Sequence, residues 1–257
     1  MRILMIRHGE PDYEHDCLTE RGKREATLLA DIADQLQVGT CFVSPLGRAK
    51  ETADYTLNRL GLTAECFDWL EEFPARLDSS GVEELYMAYT NPPSREAMRP
   101  NMVLWDILPS YLGRHPEYMD WVKWRESPAA VQSNMIPLYD HVAERLDFLL
   151  AEHGYVRDGL FYRAERANTD TLTFFCHFGV TCVMLSHLLN MSPFALWHGL
   201  MLAPTSVTEV VTEERQEGTA SFRSLRLGDI SHLYMAGETP SFAGRFCERY
   251  EEEEQRH

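Results

Sequence analysis

Two short apolar runs, each cut off by a histidine, set the pattern of the chain. Ile3-Leu4-Met5-Ile6 stops at Arg7-His8-Gly9, and the run from Thr171 to Cys176 stops at His177-Phe178-Gly179. Apolar runs this short predict buried strands. Between them the period changes. Thr19 is placed to cap a helix on which Ala26, Leu29, Ile32, Ala33 and Leu36 recur at helical spacing, with Gly39 to close it. Thr40–Val43 predicts a second strand. Ser44-Pro45 predicts the next helix start, a cap residue followed by proline. That helix turns Ala49, Thr52, Ala53 and Leu60 inward and stops at Gly61, and Leu62–Cys66 predicts a third strand.

From about Phe73 to Asn134 the periodicity breaks down. The stretch holds Pro74, Pro92, Pro93, Pro100, Pro109, Pro116 and Pro128, and it is rich in tyrosine and tryptophan. So many aromatics predict an inserted helical cap and not a linker. Helical spacing returns with Leu138, Val142, Leu146 and Leu150 and ends near Gly154. Val180–Leu189 predicts a buried helix, and Ser206–Thr212 with Ser221–Leu227 predict a hairpin turning at Glu213–Gly218. The order β-α-β-α-β, insertion, α-β-α, β-β predicts an α/β fold. Its three α/β/α layers are built on a mostly parallel sheet. We expect a single domain over residues 1–257, with the cap inserted at about 73–134.

Composition narrows the partners. Of the 257 residues, 44% are hydrophobic, enough for a packed core. The net charge of −16 argues against a general nucleic-acid binder, which needs clustered lysine and arginine. An anionic ligand would need cations gathered locally. Part of the charge lies in the run Glu248–Glu254, read as a solvated tail. Six scattered cysteines without a CxxC pair, and no secretory leader, give the expectation of reduced thiols in the cytoplasm. The uncharged stretch Thr171–Asn190 is long enough to raise a membrane span. Its histidines, glycine and threonines fit a strand, turn and helix better, so no membrane is expected.

In a parallel sheet ligands bind beyond the carboxyl ends of the strands. Four predicted strand ends carry useful chemistry: Arg7-His8-Gly9, Ser44 to Arg48, Glu71-Glu72 and His177-Phe178-Gly179. Brought to one rim, two arginines, two histidines and a carboxylate make an anion site with a nucleophile and an acid. Each piece alone has a plainer explanation: a structural histidine, an arginine on an exposed helix face, or a solvent-facing glutamate. Their joint order favours the functional one. His115, His141, His153 and His198 share no metal-ligand spacing with the cysteines, and Cys176 reads as a small buried hydrophobe. Trp105, Trp121, Trp124, Tyr86, Tyr89 and Tyr111 either line a substrate pocket or form the cap's own core. Arg95, Arg99 and Arg114 are candidates for a second anionic group.

On IRHGE at 6–10, LTERGKREA at 18–26, SPLGRAKETA at 44–53, LEEF at 70–73 and CHFGVT at 176–181, the chain resembles the histidine phosphatase superfamily, the phosphoglycerate-mutase-like fold. The resemblance implies His8 as a nucleophile that becomes phosphohistidine. It implies Arg7, Arg48 and His177 as ligands of the phosphoryl oxygens, and Glu72 as general acid in preference to Glu71, because Phe73 follows it. No metal or other cofactor is implied, since the cations come from the side chains. Two departures matter. Phe178 stands where many members have glycine, and a ring there would narrow the pocket or stack on substrate. Pro11, Glu14, His15 and Asp16 replace a Ser or Thr and an Asn that touch phosphate in mutases.

The expectation is thus a metal-independent phosphatase acting on a small phosphorylated metabolite. The alternatives are phosphoglycerate-mutase-type transfer, or an idle member that binds a phosphorylated ligand or a partner. Sequence does not fix the oligomeric state.

Overall fold

The computed structural model of the chain describes residues 1–78, 82, 85–89 and 101–252. In chain order the elements begin β1 (Arg2–Arg7), β2 (Pro11–Asp12), β3 (Cys17–Leu18), α1 (Glu20–Asp31), α2 (Ala33–Leu36), β4 (Thr40–Val43), α3 (Gly47–Leu60) and β5 (Ala64–Cys66). Short pieces follow: β6 (Arg76–Leu77), α4 (Tyr86–Tyr89), β7 (Met102–Val103), α5 (Pro109–Leu112) and α6 (Pro128–Val131). The chain then forms α7 (Met135–Glu152), β8 (Tyr155–Asp158), β9 (Phe161–Ala164), β10 (Thr171–Cys176), α8 (Phe178–Leu189), α9 (Pro193–Gly199), β11 (Val207–Gln216), β12 (Thr219–Asp229) and α10 (Ser231–Met235).

Eight strands form one sheet in the order β5-β4-β10-β1-β11-β12-β9-β8. The half from β5 to β1 is parallel, and the rest continues antiparallel from β11 to β8. Alternate residues of β1 serve opposite faces, as the period of two requires. Leu4 and Ile6 pack with Leu29, Ala53 and Leu57 of α1 and α3. Ile3 and Met5 pack with the larger core under α7, α8 and α9. Register then fixes the rim. Arg7 pairs with Cys176, and Val43 with Phe175, so the residues that follow these strands emerge together.

Several expected boundaries moved. Thr19 does cap α1, accepting from Gly22 N at 3.0 Å. The α1–α2 unit ends at Gln37, with φ 55°, and not at Gly39. The third strand begins at Ala64 and not Leu62. The hairpin strands run longer than expected and turn at 217–218. The β8–β9 hairpin was not foreseen. The helix expected to start at Ser44-Pro45 starts at Gly47, with Leu46 at its cap position and no side-chain bond there. Asp16 takes over: its Oδ2 accepts from Gly47 N at 2.6 Å.

Described residues of 73–134 form single helical turns and a two-residue strand pair, β6 with β7. Leu77, Leu104, Ile107, Tyr111, Tyr118 and Trp124 are buried in the larger core. That decides most of the aromatic alternatives. Tyr111 and Trp124 are core, and Trp121 is exposed. Tyr89 donates its hydroxyl to the Val103 carbonyl. Arg95, Arg99 and the Tyr86 side chain lie outside the described residues, and Arg114 is exposed. Among the described residues no helix is long and apolar enough to cross a membrane.

Candidate active site

His8 follows β1 and is 1% exposed. Its Nδ1 lies 2.7 Å from the Gly9 carbonyl oxygen, which can only accept. Nδ1 therefore carries the hydrogen, and Nε2 is left with its lone pair. Burial first, then the Arg7 charge, holds the imidazole well below its ordinary range, against the pull of the Gly9 carbonyl. The ring is neutral at physiological pH. Backbone bonds clamp the residue on both sides: His8 N donates to Cys176 O, and Thr205 N donates to His8 O, each at 3.1 Å.

The His177 ring centroid lies 5.0 Å from that of His8. His177 precedes α8, is fully buried, and pairs through Nε2 with Ser44 Oγ at 2.7 Å. Ser44 Oγ also accepts from Leu46 N at 3.3 Å. His177 Nδ1 has no protein partner. Burial, followed by the charges around it, again lowers the imidazole well below its ordinary range.

Two buried arginines complete the cationic side. Arg7 donates to the Leu202 carbonyl, and its Nε is unpartnered. Its guanidinium carbon sits 6.0 Å from the centroid of Phe178. Arg48, in the first turn of α3, reaches Asp16 Oδ1 at 2.6 Å and lies 5.4 Å from the Tyr13 ring centroid. Its Nε is also buried without a partner. Burying cationic N–H groups costs free energy unless an acceptor meets them. The two Nε atoms and His177 Nδ1 are therefore capacity for an anion. Asp16 sits below the usual carboxylate range. Burial pushes it up, but the Gly47 N–H and the Arg48 guanidinium together outweigh that.

Glu72, and not Glu71, is bonded into the site. Its Oε1 accepts from Gly179 N at 2.7 Å and Phe73 N at 3.1 Å. The Gly179 contact is at the start of α8, where a helix end favours negative charge. Burial pushes the carboxyl above its ordinary range, against the Arg7 charge and the two N–H donors. Phe178 is half-buried and meets Trp105 edge-on, with centroids 6.2 Å apart. All five side chains expected at the rim thus converge there, with Phe178 beside them.

Residues given no catalytic role beforehand also stand here. Ser44 looked like a helix cap, and its tie to His177 spans 133 positions. Asp16 stood out as one of the residues replacing a Ser or Thr and an Asn, and it orders Arg48 and starts α3. Ser241, near the C-terminus, donates to Glu10 Oε2, and its N–H reaches Glu25 Oε1 at 3.3 Å. The backbone then passes Arg7 so closely that a Cβ on Gly244 would lie 2.5 Å from Arg7 Nη2. No local pattern announces such an approach. Cys176 is fully buried, with its thiol pushed up to about 12 by burial, and is inert packing as expected. His198 is tied to the carbonyls of Phe194 and Ile107, and His115 stacks on Tyr111. His141 is exposed, and His153 lies 3.4 Å from Asp170.

Residues 3–101 match the family model described as "Histidine phosphatase superfamily (branch 1)". No curated protein sequence matches the chain. Among solved structures, a mutant phosphoserine phosphatase from Entamoeba histolytica in complex with phosphoserine is similar, with a TM-score of 0.57 at 16% identity, over 90% of this chain and 98% of that one. A mycobacterial glucosyl-3-phosphoglycerate phosphatase with inorganic phosphate also scores 0.57, at 19% identity, over the same shares. The alpha-ribazole phosphatase from Shigella flexneri scores 0.52 at 17% identity, over 90% of this chain and 97% of that one. At such identities the likeness is one of fold. Residues 3–101 are thus similar in sequence to that superfamily, and nine-tenths of the chain shares the fold of these solved structures.

Proposed function

We propose that this chain is a phosphatase that hydrolyses a small phosphorylated metabolite through a phosphohistidine at His8. One observation carries the reading. A neutral imidazole with Nε2 free stands with three buried side-chain nitrogens, Arg7 Nε, Arg48 Nε and His177 Nδ1, that have no protein partner. Nε2 attacks phosphorus as the bond from phosphorus to the leaving oxygen breaks. Arg7, Arg48 and His177 hold the equatorial oxygens, where charge accumulates. His177 serves as a donor when Ser44 gives its hydroxyl hydrogen to Nε2, which leaves the hydrogen on Nδ1. Glu72, whose hold on a proton is raised by burial, gives its proton to the leaving alkoxide. Water then attacks phosphorus, the P–N bond breaks, and Glu72 takes the proton from that water.

The whole chain acts as one domain, and residues 73–134 serve as the cap that admits the substrate, with Phe178 against its organic part. The Asp16 carboxylate beside Arg48 supports plain hydrolysis over transfer between two phosphorylated positions, because it adds negative charge to a site that a doubly phosphorylated substrate would need to be more cationic. The net charge supports a small-molecule substrate over nucleic acid, and six free thiols support a reducing compartment, the cytoplasm.

The test is hydrolysis of p-nitrophenyl phosphate and a panel of metabolite phosphates in EDTA, wild type beside His8→Ala. We expect wild-type turnover to survive EDTA and the variant to lose at least about a thousandfold, as losses of nucleophiles do. Full activity in the variant would refute the reading, and binding without turnover by wild type would favour an idle member.

A further inference from the structure

Gly179 marks a contact that the mechanism leaves unexplained. A Cβ built there would lie 2.5 Å from Glu72 Oε1 and 2.8 and 2.9 Å from Cζ3 and Cη2 of Trp105. Carboxylate and indole edge are thus neighbours across a residue that has no room for a side chain. Trp105 is half-buried on a single helical turn, Leu104–Asp106. It is braced by Trp197, with centroids 5.6 Å apart, and by the edge of Phe178. Trp197 in turn donates Nε1–H to the Gly179 carbonyl at 3.2 Å.

The surroundings of Glu72 are otherwise hostile to a protonated carboxyl. Arg7 from β1 and Arg48 from α3 favour its anion, as do the N–H groups of Gly179 and Phe73. From β10 and α8 the thiols of Cys176 and Cys182 face it, both kept neutral by burial. The charge on the Trp105 turn, Asp106, is exposed and acts on Tyr89. Burial opposes the arginines at this half-buried carboxyl, and the indole edge is what lies against it across Gly179.

We propose that Trp105 is a positioning residue for the acid: its indole edge keeps water off Glu72 and so keeps the proton available to the leaving group. The proposal rests on the reading of Glu72 as the proton donor. It assigns to one residue of the proposed cap a role in chemistry as well as in admission. It also explains why position 179 is glycine, because any larger residue would part the ring from the carboxyl.

The experiment is the pH profile of kcat/KM on two probes, glycerol 2-phosphate and p-nitrophenyl phosphate. The first has a poor alkoxide leaving group that needs a proton, and the second leaves without one. In Trp105→Gln and Trp105→Ala the alkaline limb on glycerol 2-phosphate should move down by about one pH unit, a tenfold loss above the limb. Turnover of p-nitrophenyl phosphate should stay within about twofold, which also reports an intact fold. Trp105→Phe, which keeps an apolar cover, should restore the wild-type limb. An unmoved limb in both polar and small variants, or equal loss on both probes at every pH, would overturn the proposal. Glu72→Gln separates the layers. If it loses glycerol 2-phosphate turnover selectively while the Trp105 variants do not move the limb, only the proposal fails. If it keeps both activities, the assignment of the acid fails and takes the proposal with it.

Discussion

Ser44 shows how one buried side chain can decide what a neighbour does. Its hydroxyl is fully buried, accepts from Leu46 N, and lies 2.7 Å from His177 Nε2. Removing it leaves the buried imidazole without the contact that selects its tautomer. We expect Ser44→Ala to lose about 10- to 100-fold in kcat/KM, the rate equivalent of a buried hydrogen bond of 1–3 kcal/mol. Steady-state kinetics on p-nitrophenyl phosphate check this, and an unchanged kcat/KM would mean that His177 needs no partner. Arg7, His8, Arg48 and His177 were legible in the sequence because each directly follows an apolar run or opens the helix after one. Ser44 was misread because Ser-Pro is a strong local signal for a helix start, whereas the contact that claims it comes from the far end of the chain. Glu71 and Glu72 differ only in where the turn after Leu70 points each carboxylate, which spacing does not encode.

At the scale of elements, α3 illustrates the same competition. Gly47 starts the helix because a Cβ there would lie 2.2 Å from the Asp16 backbone oxygen, so only glycine allows the carboxylate this close. Asp16 then acts as a cap supplied from another segment, held in the left-handed region at φ 48°. Its ion pair with Arg48 involves a carboxylate 41% exposed, so solvent screens much of the charge term and the cap bond should dominate. Asp16→Ala should therefore lose about 1 kcal/mol of stability, and Asp16→Asn, which keeps an acceptor for Gly47 N, less than about half of that. Urea denaturation of both variants decides it, and equal losses would put the weight on the ion pair. The missed β8–β9 hairpin had a local signal, Asp158-Gly159 at the end of β8, but an arginine in each short strand hid the strand pattern. The parallel half of the sheet was legible from its continuous apolar runs. The described part of 73–134 was not, since it is built from single turns too short to show a period.

Across the whole molecule, buried neutral histidines tie stability to pH. His232, 3% exposed, bonds through Nε2 to Thr205 Oγ1 at 2.9 Å, and burial lowers its pKa from 6.5 to about 4. Between those values the unfolded chain takes up a proton that the native one refuses. Stability from this group is thus present above pH 6.5 and is lost as pH falls toward 4. The shift corresponds to about 3 kcal/mol. His232→Gln should flatten the fall in stability over that window. Glu25 and Glu72, both raised by burial, work in the opposite sense but are common to the two proteins. Unfolding free energies at several pH values check this, and parallel curves would show that His232 takes no part. Thr205 also donates its N–H to the His8 carbonyl, so the same buried chain reaches the proposed nucleophile.

The most direct measurement is to quench the enzyme during turnover of p-nitrophenyl phosphate and map any phosphorylated residue by mass spectrometry under alkaline conditions, where phosphohistidine survives. Our account predicts one phosphoryl group, acid-labile, on the peptide that contains His8, and none in His8→Ala. A phosphoryl group on another residue, or turnover by the His8→Ala enzyme at the wild-type rate, would contradict it.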